Sequence, residues 1–194
     1  MSKISRESSY IIHYEVLLDL VKRMWSDPLV QCYNDADLPP ENKRREGSVF
    51  LAGPTSRNFI LPFNWRCLAV KHLRVAGFKG WIYVPEPRGI EEKGDFTERG
   101  YIHSWESDRL FSATHKVFWI PRSGTELLGL NTNLEFGIIL GMLLSGQPIS
   151  TFFGWPPEAE RMGLPRHYAE MRAQQPIYET LESLCEAVAT ANEV

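Results

Sequence analysis

Hydrophobic positions along the chain repeat at two distinct periods. From Tyr10 to Trp25, the residues Ile11, Tyr14, Leu17, Leu18, Val21 and Trp25 fall three and four apart, the stripe of an amphipathic helix with one buried side. Prolines and charges then gather in DADLPPENKRREG, residues 35–47, which reads as a linker or surface loop with Arg44 and Arg45 solvated. From Ser48 onward short β-branched or aromatic runs alternate with helical stretches. In order they are SVFLAG, Trp65 to Val75, GWIYVPEP, Thr97 to Ala113, HKVFWIPR, the apolar run Leu134 to Leu144, PISTFFGW, and a last helix from about Tyr178 to Thr190.

Such alternation predicts parallel strands joined by helical crossovers: an α/β, doubly wound, mostly parallel sheet flanked by helices, with an extra N-terminal helix. The chain divides accordingly into residues 1–47, helix and linker, and 48–194, the α/β domain. The extra helix packs either on that domain or on a second subunit. In a sheet of this kind ligands bind beyond the carboxyl ends of the strands, so the segments after each strand become the place to look for chemistry.

Composition narrows the functional classes. A chain of 194 residues, 43% hydrophobic, can bury a core without disulfides or a structural metal. Its 24 acidic residues against 21 basic give net charge −3, so no global field draws in a phosphate backbone, and a nucleic-acid polymer is not an expected partner. Cys32, Cys67 and Cys185 are scattered and outside any ligand spacing, which fits a reducing cytoplasm. The first ten residues lack the apolar core of a signal peptide, and the greasy run Phe136 to Leu144 is too short to span a bilayer, so a soluble protein is expected.

Each strand ends in glycine or proline with polar company: Gly53-Pro54-Thr55, Pro85-Glu86-Pro87-Arg88, Pro121-Arg122-Ser123-Gly124 and Gly154-Trp155-Pro156-Pro157. No GxGxxG, P-loop or GxSxG motif occurs among them, which removes dinucleotide, P-loop nucleotide and hydrolase-elbow chemistry. Asn131-Thr132-Asn133-Leu134-Glu135-Phe136-Gly137 opens the most apolar helix, where Glu135 is the lone ionisable side chain between Asn133 and Gly146. An all-round apolar helix is buried, so a carboxylate in its first turn should face the strand-end crevice, kept ionised by the helix terminus. Thr132-x-x-Glu135 also matches the capping box. The two roles are compatible, and an anionic carboxylate in a partly dry crevice is suited to attack an anomeric carbon.

A second carboxylate, Glu106, lies on the helix before the third strand of this domain. If Trp105 and Leu110 face the core, Glu106 lies on the crevice flank while Asp108 faces water. Glycosyl transfer needs such a pair, one group to attack and one to manage the leaving group's proton. Trp65, Trp119 and Trp155 lie beside the turns, where an indole either stacks on a planar base or fills the core. His72 and His115 have no partner spacing for metal or triad chemistry.

The ordered run VFLAGP, NWR, GWIYVPEP, WE, VFWIPR, NTNLEFG and FGWPPEA, spanning about Ser48 to Ala159, resembles the nucleoside 2-deoxyribosyltransferase-like family. The resemblance implies a flavodoxin-like or Rossmann-like fold and exchange of the base of a 2′-deoxynucleoside through a covalent deoxyribosyl-enzyme, without metal or organic cofactor. It implies Glu135 as nucleophile and Glu106, where characterised members usually have Asp, as the acid at the base. Gly53, Pro54, Glu86, Arg122, Asn131, Asn133 and Trp155 are the expected substrate contacts. Family members often use a Tyr near the nucleophile where this chain has Val49 and Phe50, leaving Asn131 or Asn133 to orient Glu135. Their Asp six residues before the nucleophile is Gly129 here. The expected partners are a nucleoside or nucleotide, a free base, and further copies of the chain in a homo-oligomer. Two alternatives remain: an N-glycoside hydrolase, in which Arg122 and Arg88 would meet a 5′-phosphate, and a non-catalytic sensor of a nucleotide derivative.

Overall fold

The computed structural model describes the backbone of residues 16, 18–33, 35, 47–55, 65–88, 99–124 and 127–192, and the side chains of all of these but 99–102. Ile11, Tyr14 and Leu17 of the expected N-terminal stripe, the body of the linker at 36–46, and Thr97 at the expected start of the third helix lie outside the described residues. Among the described residues six strands form one all-parallel sheet: β1 (Val30–Cys32), β2 (Ser48–Ala52), β3 (Trp81–Val84), β4 (His115–Trp119), β5 (Ser150–Gly154) and β6 (Ile177–Tyr178). The helical segments are α1 (18–26), α2 (Trp65–Val75), α3 (Arg99–Ser112), α4 (Leu130–Leu144), α5 (Gly163–Arg166) with a π-helical continuation at His167–Arg172, and α6 (Leu181–Ala191).

The spatial order is β1-β3-β2-β4-β5-β6. From β2 the chain crosses to β3 on one side and then returns past β2 to β4 on the other. The carboxyl ends of β2 and β4 therefore border the switch point of a doubly wound sheet of flavodoxin-like or Rossmann-like type, where a crevice opens between diverging connections. Every residue of β2 and β4 is buried, which accounts for their near-continuous apolar runs.

Alternation along β2 sends Val49 and Leu51 to one core and Phe50 and Ala52 to the other. The first core is closed by α1, α2 and α6, through Val21, Met24, Leu73, Leu184 and Val188. The second is closed by α3 and α4 and is rich in aromatics. Phe136 of α4 packs on Phe153 and Phe118 with ring centroids 4.8 Å and 5.8 Å apart. Each such pair adds about 0.5–1.5 kcal/mol beyond the area it buries, and together they set the rotation of α4 about its axis.

Residues near the N-terminus contribute more than a helix. Val30–Cys32, in the stretch expected to be helix and linker, is an edge strand whose Cys32 pairs with Val84. It is pinned by Arg88, whose guanidinium binds both carboxylate oxygens of Asp35 at 2.8 Å and 2.7 Å and the carbonyls of Val30 and Trp25. Val21 and Met24 are packed in the core, so α1 lies on its own domain, one of the two positions expected for it. None of the described helices is long and apolar enough to cross a membrane.

Candidate functional site

Because every strand is parallel, all carboxyl ends lie on one edge of the sheet, and a cavity of about 280 Å³ opens there at the switch point. Its walls are Gly53, Pro54 and Thr55 after β2, Pro85 after β3, Leu128 and Gly129 after β4, the start of α4 at Leu130, Asn131 and Thr132, and three charged side chains, Arg66, Glu106 and Glu135. The volume is near the lower end for small-molecule sites. Of the residues expected at the site, Glu135, Glu106, Gly53, Pro54 and Asn131 meet here.

The other four do not line the cavity. Glu86 is drawn behind the wall by an ion pair with Arg66 at 2.6 Å, side chains 12% and 2% exposed respectively. Arg122 and Asn133 are joined to each other, Nη2 donating to Oδ1, away from the cavity lining. Trp155 is 1% exposed in the aromatic core, with Arg166 over its ring at 5.6 Å. Trp65 and Trp119 are likewise core residues, so none of the three indoles beside the turns is a stacking surface.

Gly53 is needed for packing: a Cβ there would lie 2.2 Å from the carbonyl oxygen of Trp119 and 2.5 Å from the Trp65 ring. That closeness lets Trp65 donate its indole N–H to the Pro54 carbonyl at 3.0 Å and fixes the turn after β2.

Two expectations about α4 are overturned. The helix begins at Leu130, one turn earlier than the apolar run, with Gly129 as N-cap at φ 63°, ψ 46° and no capping side chain. Thr132 is therefore the third helical residue, buried, and not a cap, while Glu135 falls in the second turn, away from the N-terminal peptide groups. Gly129 brings this about, since it adopts a left-handed conformation and its missing Cβ would stand 3.2 Å from that of Pro54. The early start brings Asn131 into the helix, so that it and Glu135, four residues apart, share one face over the same cavity. The helix is also not buried all round. Leu130, Leu134 and Ile138, spaced by four, are 67%, 68% and 40% exposed, because α4 is an outer-layer helix with one side on the sheet.

The electrostatics follow from this placement. Burial, and secondarily the Glu106 carboxylate, push the Glu135 carboxyl up to about 7, with Arg66 opposing. The helix start does not hold Glu135 in the ordinary carboxylate range as expected: one turn further in, desolvation and a like charge raise it. Glu106 is also raised, by burial first, with Arg66 and His103 opposing; His103 Nδ1 lies 3.7 Å from its Oε2. Because the Glu106 charge is one of the causes that raise Glu135, the proton the pair shares rests on Glu135 before substrate binds, and attack by Glu135 requires that proton to pass to Glu106.

Arg66, Leu128 and Leu130 were not among the residues expected at the site, and Thr55, Pro85 and Thr132 were expected only as turn or cap residues. Arg66 carried a signal, being the lone arginine in the apolar opening WRCLAV of the helix that follows the first crevice strand. Among the described residues no group of three or more His, Cys, Asp or Glu could hold a metal ion. No protein-family model matches the chain, and no curated protein matches its sequence.

Proposed function

We propose that the chain is a nucleoside 2-deoxyribosyltransferase-like enzyme that exchanges the base of a 2′-deoxynucleoside through a covalent intermediate on Glu135. The observation that carries the reading is the convergence of two carboxyls, Glu135 from α4 and Glu106 from α3, on one cavity at the switch point. A carboxylate oxygen of Glu135 bonds to C1′ as the C1′–N bond breaks. The bonding pair leaves with the base nitrogen, which takes from Glu106 the proton that Glu135 gave up on becoming the nucleophile. An incoming base then attacks C1′, returns a proton to Glu106 and releases the Glu135 carboxylate. Two inversions give net retention.

The arginines expected to meet a 5′-phosphate, Arg88 and Arg122, do not line the cavity, and this favours a free nucleoside over its 5′-phosphate. Arg88 is held by Asp35 and Arg122 by Asn133, and Arg66 is paired with Glu86. The same reading takes the protein as a homo-oligomer, supported by the outward apolar stripe Leu130, Leu134 and Ile138 beside the cavity.

Incubation with a deoxynucleoside and a different free base should yield the exchanged nucleoside, with deoxyribose trapped on the Glu135 peptide by mass spectrometry. Glu135→Ala should lower exchange by about 10³-fold or more. Absence of exchange with every common base, together with absence of an adduct, would refute the proposal. Base release that needs no acceptor base would assign the site to hydrolysis instead.

A further inference from the structure

We propose that Arg66 is a positioning residue: gripped by Glu86 and by the turn after β2, its guanidinium is the fixed countercharge that sets how Glu135 and Glu106 share a proton. Among the described residues lining the cavity it is the sole cation, and it is 1% exposed. All three of its nitrogens are engaged. Nε donates to the Leu51 carbonyl at 3.2 Å, Nη2 to the Gly53 carbonyl at 2.6 Å, and Nη1 to Thr55 Oγ1 at 3.1 Å and Glu86 Oε1 at 2.6 Å. A guanidinium held at every nitrogen does not swing out to meet a substrate. It acts on the cavity through its field and by holding the β2–α2 turn in shape.

The charged and titratable surroundings are few. Glu135 faces Glu106 from α3 and Arg66 from α2. Glu86, after β3, is spent on Arg66, and the turns at Gly53, Pro54, Thr55 and Pro85 bring no charge. Glu106 is flanked by His103 on its own helix and by Arg66, and its charge is felt by the Tyr33 phenol after β1. Arg66 is therefore the countercharge common to both carboxyls: it opposes burial at each, while Glu86 offsets part of its charge. Arginine suits the task because it never loses its proton and its fork spans several oxygens; lysine keeps the charge but not the grip.

The place of Arg66 in a catalytic cycle rests on the function proposed above, but its effect on the carboxyls can be read without turnover. The full chain, with ¹³C-labelled glutamate side chains, is titrated by NMR as wild type, Arg66→Met, Arg66→Lys and Glu86→Gln. In Arg66→Met the Glu135 midpoint should rise from about 7 by about 1 pKa unit. In Arg66→Lys it should stay near the wild-type value, although thermal stability falls in both variants. In Glu86→Gln both carboxyl midpoints should fall, because less of the arginine charge is neutralised; this variant serves as the test if Arg66→Met does not fold. Equal titrations in the Met and Lys variants, or unmoved midpoints in Glu86→Gln, overturn the inference. Failure of base exchange leaves these titrations readable, and failure of the titrations leaves base exchange standing.

Discussion

Replacing Glu135 by Gln removes a carboxyl that folding forces into an unfavourable place, and the consequence for stability follows from its ionisation. An ordinary glutamate titrates at 4.5, this one at about 7. At about 1.4 kcal/mol per pKa unit the difference is worth about 3 kcal/mol, and water at the cavity mouth reduces it to about 2–3 kcal/mol. The sign is that of a raised acid. Below pH 4.5 the group is protonated in both folded and unfolded chains and costs nothing. Between pH 4.5 and about 7 the unfolded chain has released its proton while the folded chain still holds it, so stability falls across that range and levels off above it. Glutamine is close to isosteric with the protonated acid and carries no such penalty. Urea denaturation of both proteins from pH 4 to 8.5 should therefore give similar unfolding free energies at the acid end, and at the alkaline end a Gln variant more stable by about 2–3 kcal/mol. A pH-independent difference between the two would refute the placement of Glu135 in a partly dry site beside a second carboxylate.

Gly129→Ala should cost about 1–2 kcal/mol in denaturant-measured stability, since alanine at φ 63° is strained and its methyl group would meet Pro54, and an unchanged midpoint would show that the α4 start is set by something else. Leu134→Lys, at a side chain 68% exposed, should alter monomer stability by no more than about 0.5 kcal/mol, yet by light scattering it should bring the particle mass down toward the 22.3 kDa of one chain if α4 is an oligomer surface. A wild-type protein that already runs at that mass would count against the homo-oligomer.

The chain's local periodicity determined a good deal. The runs SVFLAG, GWIYVPEP, HKVFWIPR and PISTFFGW each hold a strand, at 48–52, 81–84, 115–119 and 150–154, and the stretch from Trp65 to Val75 is a helix with those same bounds. Alternating strand and helix sufficed for the doubly wound class, and hence for placing Glu135 and Glu106 at the carboxyl edge. Both signals are local, set by which neighbours along the chain can face the same way. Other features depended on partners distant in sequence. The edge strands Val30–Cys32 and Ile177–Tyr178 are too short to show a period, and exist because β3 and β5 offer them a free edge. Glu86 and Trp155 sat at strand ends just as Pro54 did. Only the packed structure shows that Arg66 draws the first behind the cavity wall and that the aromatic core takes in the second. The sharpest case is Glu135, whose position near a helix start suggested an ionised group. Its pKa is raised by burial at the cavity and by a second carboxylate on another helix, because desolvation and like-charge repulsion depend on distances through space that no spacing along the chain records.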